Sequence, residues 1–153
     1  MNAAMPATGD VYLVVGYDGS EPAVRALDTA ARLLQGRTGS IRVTYVAHLT
    51  SGEMLSADAV GEMEETFDEL AEDLNTQAAE QLRGHAEERW LFERGQGVIP
   101  DVLISTAERI RDEHPGDTVG IVVGSSSQGM HRLVGSVAVN LARRSPVPLM
   151  IVP

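Results

Sequence analysis

The sequence predicts a doubly wound α/β sandwich: an open, mostly parallel five-stranded sheet with helices on both faces. Three observations carry this. Apolar runs such as Val11–Gly16 (VYLVVG) are continuous, as expected of strands buried on both faces rather than one. Each run is followed by a segment with apolar residues at helical spacing, so strands and helices alternate along the chain. Glycine-rich turns stand where strands end, above all Gly16-Tyr17-Asp18-Gly19-Ser20 and Gly124-Ser125-Ser126-Ser127-Gln128-Gly129.

The first strand, residues 11–16, leads into Ser20, which can cap a helix whose first turn accepts Pro22. Ala23, Ala26, Leu27, Ala30, Leu33 and Leu34 then recur at helical spacing, and Gly36 and Gly39 end that helix. Residues 41–48 are a second strand, rich in β-branched side chains. A loop over residues 50–58 precedes a second helix that runs to about Arg83. Residues 89–94 (RWLFER) form a third strand with Trp90 and Phe92 on one face.

Beyond Gly95-Gln96-Gly97, the positions Ile99, Val102, Leu103, Thr106, Ala107 and Ile110 make a third helix, closed by His114-Pro115-Gly116. Residues 119–124 are the fourth strand. Val134, Val137, Ala138, Leu141 and Ala142 mark a fourth helix, with Arg143 and Arg144 in the last turn where cations suit the dipole. Residues 148–152, opening at Pro148 and ending at Val152, are the fifth strand.

At 153 residues the chain has the size of one domain, read here as residues 10–153 behind a flexible N-terminus of residues 1–9. No apolar run reaches the roughly 18 residues of a membrane span. The first residues, MNAAMPATGD, lack the basic and apolar regions of a signal peptide, so a soluble cytoplasmic protein is expected. There is no cysteine, which excludes disulfides, zinc–cysteine sites and thiol nucleophiles.

A net charge of −10 argues against nucleic acid as a partner. All 12 Lys and Arg residues are arginine, so a P-loop lysine and a Schiff-base lysine are excluded. The stretch from Glu53 to Asp73 holds nine carboxylates and no base, which reads as a solvated helix face, or alternatively as an acidic docking surface.

In doubly wound folds ligands bind outside the carboxyl ends of the strands, where the strand order reverses. With order 3-2-1-4-5 that point lies between strands one and four, and it brings the two glycine-rich turns together. GxxxxGK[ST] and a GxGxxG after the first strand are both absent. Gly124-Ser125-Ser126-Ser127-Gln128 is a broken nucleophile elbow, and no Asp and His stand at strand ends to complete a triad. His48, His85, His114 and His131 have no metal-ligand spacing. What remains is anion binding by backbone amides at a helix start, with Gly135 allowing close approach and Ser136 adding a hydroxyl. The alternative is that Gly124, Gly129 and Gly135-Ser136 are only turn glycines and an ordinary helix start. Asp18 likewise is either a ligand contact or an Asx turn-former, and His131 and Arg132 are read as solvent-exposed turn residues.

VVGYDGSEPAVRALDTAARLL near the start and IVVGSSSQGMHRLVGSVAVNLARRSPVPLMIVP at the end resemble the universal stress proteins, over nearly the whole chain. The resemblance implies strand order 3-2-1-4-5, a Rossmann-like sandwich, and a homodimer through the C-terminal strand. For one branch of the family it implies ATP, ADP or AMP between strands one and four, with Mg²⁺ held through the phosphates. By position, Gly16 and Asp18 match the turn that faces the nucleotide, and Val46 the residue whose backbone meets adenine. Val123 and Gly124 match the residues beside ribose and phosphates, and Gly135, Ser136 and Val137 the closing phosphate turn. That branch carries G-x2-G-x9-G-[ST]; here Gly129 is displaced, Ser127 stands at the middle glycine, and the loop from Gly124 to Gly135 is two residues shorter. The implied role is a stress-response regulator, at most a slow ATPase. The alternative is a dimeric interaction module of the same fold that binds no nucleotide.

Overall fold

The computed structural model describes residues 9–47, 56–85, 89–125 and 135–153. Nine elements alternate: β1 (Val11–Gly16), α1 (Glu21–Leu33), β2 (Gly39–Ala47), α2 (Ala57–Gln81), β3 (Trp90–Gln96), α3 (Ile99–Glu113), β4 (Thr118–Gly124), α4 (Ser136–Arg144) and β5 (Leu149–Val152). The strands form one parallel sheet in the order β3-β2-β1-β4-β5.

Period-2 alternation along the inner strands sorts side chains into two cores. Leu13, Val15, Ile41, Val43 and Val122 face α1 and α2, where they meet Ala26, Leu27, Ala30, Leu74 and Ala78. Tyr12, Val14, Val46, Ile121 and Val123 face α3 and α4, where they meet Leu103, Ala107, Ile110, Ala138 and Leu141. Because both faces of β1 and β4 are covered, their sequences are apolar at every step, the signal that predicted a parallel sheet. Among the described residues no helix is long and apolar enough to cross a membrane.

Several boundaries differ from the expectations, each for a local reason. Gly39 opens β2 rather than ending α1: it pairs with Val11 at φ +128, a conformation that favours glycine. Gly95 and Gln96 extend β3, pairing with Val46 and Ala47, because a glycine without a Cβ lets Val102 pack close over the strand. Leu33 is exposed because it lies at the margin of the α1 stripe, whereas Leu34, the C-cap, is buried. Ala142 is exposed rather than part of the α4 core face. Pro148 precedes β5 and lends its carbonyl to Ile121 N–H at 2.9 Å. His48 and Val134, expected in the second strand and the fourth helix, lie outside the described residues.

Leu27 is fully buried between α1 and the sheet. Leu27→Ala is expected to lower stability by about 2–5 kcal/mol, through lost burial and the cavity left behind; denaturant titration against the unsubstituted protein measures it.

Candidate functional site

At the carboxyl ends of β1 and β4 the crossovers part to opposite sides of the sheet, and a cleft of about 590 Å³ opens between them. The volume is in the range of small-molecule sites. Gly16, Asp18, Val46, Val123, Gly124, Gly135, Ser136 and Val137 all line it. These are the expected site residues that fall among the described ones; Ser127 and Gly129 lie outside them, as do His131 and Arg132.

One wall is the turn from β1 into α1. Tyr17 donates its backbone N–H to Thr44 O at 2.9 Å, continuing the ladder past the end of β1. Asp18 Oδ1 accepts from Ser20 N at 3.0 Å and from Ser20 Oγ at 2.5 Å, the Asx turn weighed from sequence. Ser20 in turn caps α1, its Oγ accepting from Ala23 N at 3.4 Å. The start of α1 thus has a side-chain cap supplied by the chain itself.

The opposite wall is different. Helix α4 begins at Ser136 with Gly135 as N-cap, and among the described residues no side chain bonds to its first amides. These N–H groups have no partner within the helix, and the helix dipole adds partial positive charge at the same place. Ser136 is exposed and Val137 half-buried, so the turn presents amides and a hydroxyl to the cleft. That arrangement suits an anion.

Gly124 plays a part the sequence did not assign. A Cβ there would stand 2.6 Å from Pro22 Cβ, with the Pro22 backbone as close. The missing side chain is required by the first turn of α1, which rests directly on the end of β4. Gly16 is milder: a Cβ would meet Leu103 Cδ1 at 3.3 Å and Val123 Cγ1 at 3.4 Å.

The cleft also has members that the sequence reading missed. Ile99 and Leu103 from the start of α3 form an apolar side, and Thr44 and Tyr45 join Val46 on β2. The signal was present, since the third helix also begins at the carboxyl edge of the sheet, on the face that Val46 and Val123 share. The charged lining residues among those described are Asp18 and Glu21, both acidic. Burial raises the phenol pKa of Tyr17, with the Asp18 carboxylate adding to it. Tyr45 is raised by burial too, opposed by Arg94 and reinforced by Asp18. Both therefore stay neutral donors at physiological pH. Among the described residues no group of three or more His, Asp or Glu side chains is placed to hold a metal ion.

A parallel 3-2-1-4-5 sheet with a cleft at its switch point defines the class: a doubly wound α/β domain with a site built from loop and helix termini. The chain belongs to the universal stress protein family, whose profile matches residues 13–153. Among solved structures it is similar to universal stress protein UspA from Lactobacillus plantarum, at 18% identity and a TM-score of 0.73, covering 95% of this chain and 99% of that one. A universal stress protein in complex with cAMP gives 23% identity and a TM-score of 0.64, covering 95% and 99%. An Arabidopsis thaliana family member with AMP bound gives 15% and 0.54, covering 93% and 90%. No curated protein sequence gives a significant match.

Because Gly124 is required by packing, Gly124→Ala is expected to cost about 1–3 kcal/mol of stability with no ligand present. A thermal melt of the ligand-free protein checks this, and an unchanged midpoint would return Gly124 to a purely ligand-directed role.

Proposed function

We propose that this protein is an adenine-nucleotide-binding regulator that acts in stress response as a homodimer. The observation that carries the reading is the uncapped start of α4, facing Gly124 and the Asp18 turn across the cleft. Similar folds with cAMP and AMP in complex support it.

In this reading the phosphate lies on the amides of Ser136 and Val137, with the Ser136 hydroxyl as a further donor. The adenine lies against Val46, whose backbone reads its edge, and between the apolar side chains of Ile99 and Leu103. Asp18 Oδ2 accepts from ribose hydroxyls while Oδ1 stays in the Asx turn. With ATP or ADP, Mg²⁺ enters with the phosphates and offsets the charge of Asp18 and Glu21; AMP needs no such help. Asp18 already holds two local hydrogen bonds through Oδ1, which makes it a poor general base. Hydrolysis is then slow at most, and nucleotide acts as a signal rather than a substrate. The fold and the acidic charge fit a cytoplasmic protein.

The dimer forms through β5, the edge strand beyond β4. Met150 is 40% exposed and Leu149 and Ile151 are half-buried, so an apolar edge is open to pairing with its copy.

Thermal-shift titration with ATP, ADP and AMP, with and without Mg²⁺, tests the ligand. A hundredfold excess over Kd raises stability by about 2.7 kcal/mol; no shift at millimolar nucleotide would sink the reading. Gly135 has φ −58, which any residue adopts. Gly135→Leu is therefore expected to keep the fold and abolish the shift. For the dimer, light scattering is expected to give twice the chain mass for the unsubstituted protein and one chain mass for Met150→Asp. A monomeric unsubstituted protein at micromolar concentration would refute the assembly.

A further inference from the structure

The turn that carries Asp18 is exposed, and its own bonds are few. Asp18 and Ser20 face solvent, and the Asx turn rests on two hydrogen bonds to one carboxylate oxygen. Exposed bonds of this kind compete with water, so they fix a turn poorly unless the flanking residues are held by packing. On the β1 side the flanking residue is Tyr17, which is buried and has its backbone N–H on Thr44 O. Its side chain belongs to the core on the face of the sheet that α2 covers.

The C-terminal turns of α2 meet it there. Ala71, Leu74 and Ala78 follow at steps of three and four, and Gln81 takes the next place in the stripe, where a leucine would serve packing alone. A half-buried amide in that position costs desolvation unless its two ends are paired. Gln81 Nε2 donates to Val24 O at 2.7 Å, and because a carbonyl can only accept, that bond fixes which way the amide faces. Oε1 is left to accept from Tyr17 OH at 3.3 Å. Burial, reinforced by the Asp18 carboxylate, keeps this phenol protonated and able to donate.

One side chain thus grips the chain on both sides of Asp18: at Tyr17 just before it, and at Val24 in the first turn of α1. Leu74 closes the middle, since a Cβ on Gly19, at φ +78, would stand 2.7 Å from Leu74 Cδ2. Gln81 itself stands behind the cleft wall and is not part of its lining.

We propose that Gln81 is the positioning residue of this site: by holding Tyr17 and Val24 it sets the Asp18 carboxylate to accept from the hydroxyls of a ligand's sugar. It touches no ligand and acts through Asp18. The sugar contact rests on the nucleotide reading above, whereas the grip on the turn stands without it. The consequence is selective, because loss of the grip weakens a ligand that carries the ribose hydroxyls and spares one that lacks them.

Two variants remove the grip with little change in volume. Gln81→Met takes away both amide bonds, and Tyr17→Phe only the hydroxyl. In the ligand-free chain, backbone amide order parameters from nuclear magnetic relaxation at Asp18, Gly19 and Ser20 are expected to fall from about 0.85 to below about 0.6 in both variants, while those of β1 and β4 stay unchanged. Calorimetric titration with AMP and with its dideoxy analogue, which has the same base and phosphate but neither ribose hydroxyl, reads the sugar contact. The unsubstituted chain is expected to favour AMP about tenfold, and both variants to lose about that factor for AMP with the dideoxy affinity unchanged. Unchanged order parameters in Tyr17→Phe, which keeps the ring, would overturn the proposal even if Gln81→Met fails to fold. So would an equal loss for both nucleotides, the mark of a merely structural role, or equal affinity of the unsubstituted chain for the two. If the unsubstituted chain binds neither, the nucleotide reading falls and the sugar contact with it, and the order parameters alone uphold or overturn the grip.

Discussion

Every feature of this protein hangs on the position of β1. It is paired on both edges, with β2 on one side and β4 on the other, all parallel. Parallel pairing forces each connection to cross over a face, and right-handed crossovers in opposite directions along the sheet place helices on opposite faces. α1 and α2 therefore cover one face, and α3 and α4 the other. At the carboxyl end of β1 the two sets diverge, and a cleft opens between the described residues. The cleft is a consequence of that reversal and not of any one motif.

The chemistry of the cleft follows from how the helix termini at its α1 and α4 walls are finished. The start of α1 is capped by the Ser20 hydroxyl, which Asp18 holds in turn and which takes the Ala23 N–H. The start of α4 has glycine as N-cap, and among the described residues no side chain accepts from it. An uncapped helix start in a concave site is a fixed source of positive potential that needs no side-chain cation. In a chain without lysine and with an acidic cleft lining, that is a route to holding an anion without a cationic side chain.

The same turn is tied to the second helix. Tyr17 donates to Gln81 Oε1 at 3.3 Å, and Gln81 Nε2 donates to Val24 O at 2.7 Å. Gln77 reaches Gly19 O at 3.5 Å, and Leu74 lies over Gly19. The C-terminal half of α2 is therefore anchored to the wall of the cleft, while its N-terminal half is the acidic, partly apolar arm.

The sequence by itself determined the element order, the parallel sheet and the family, because these rest on local periodicity and on turn residues whose conformations are set by near neighbours. Continuous apolar runs at β1 and β4 and the Ser20 cap could be read directly. So could eight of the residues that line the cleft, since strand ends and helix starts are local features and the topology rule brings them together. Other features needed the tertiary structure. That Gly124 is glycine for the sake of Pro22, and that Ile99 and Leu103 line the cleft, depend on contacts between residues far apart in the chain. Gly39 and Gly95 read as breakers, yet pairing with Val11 and Val46 made them strand residues. The run from Glu53 to Asp73 showed its charge in the sequence, but only the packing of α2 against the sheet decided which of its apolar residues are buried. Local preference sets what each segment is; burial, which decides what each side chain does, is a property of how the segments meet.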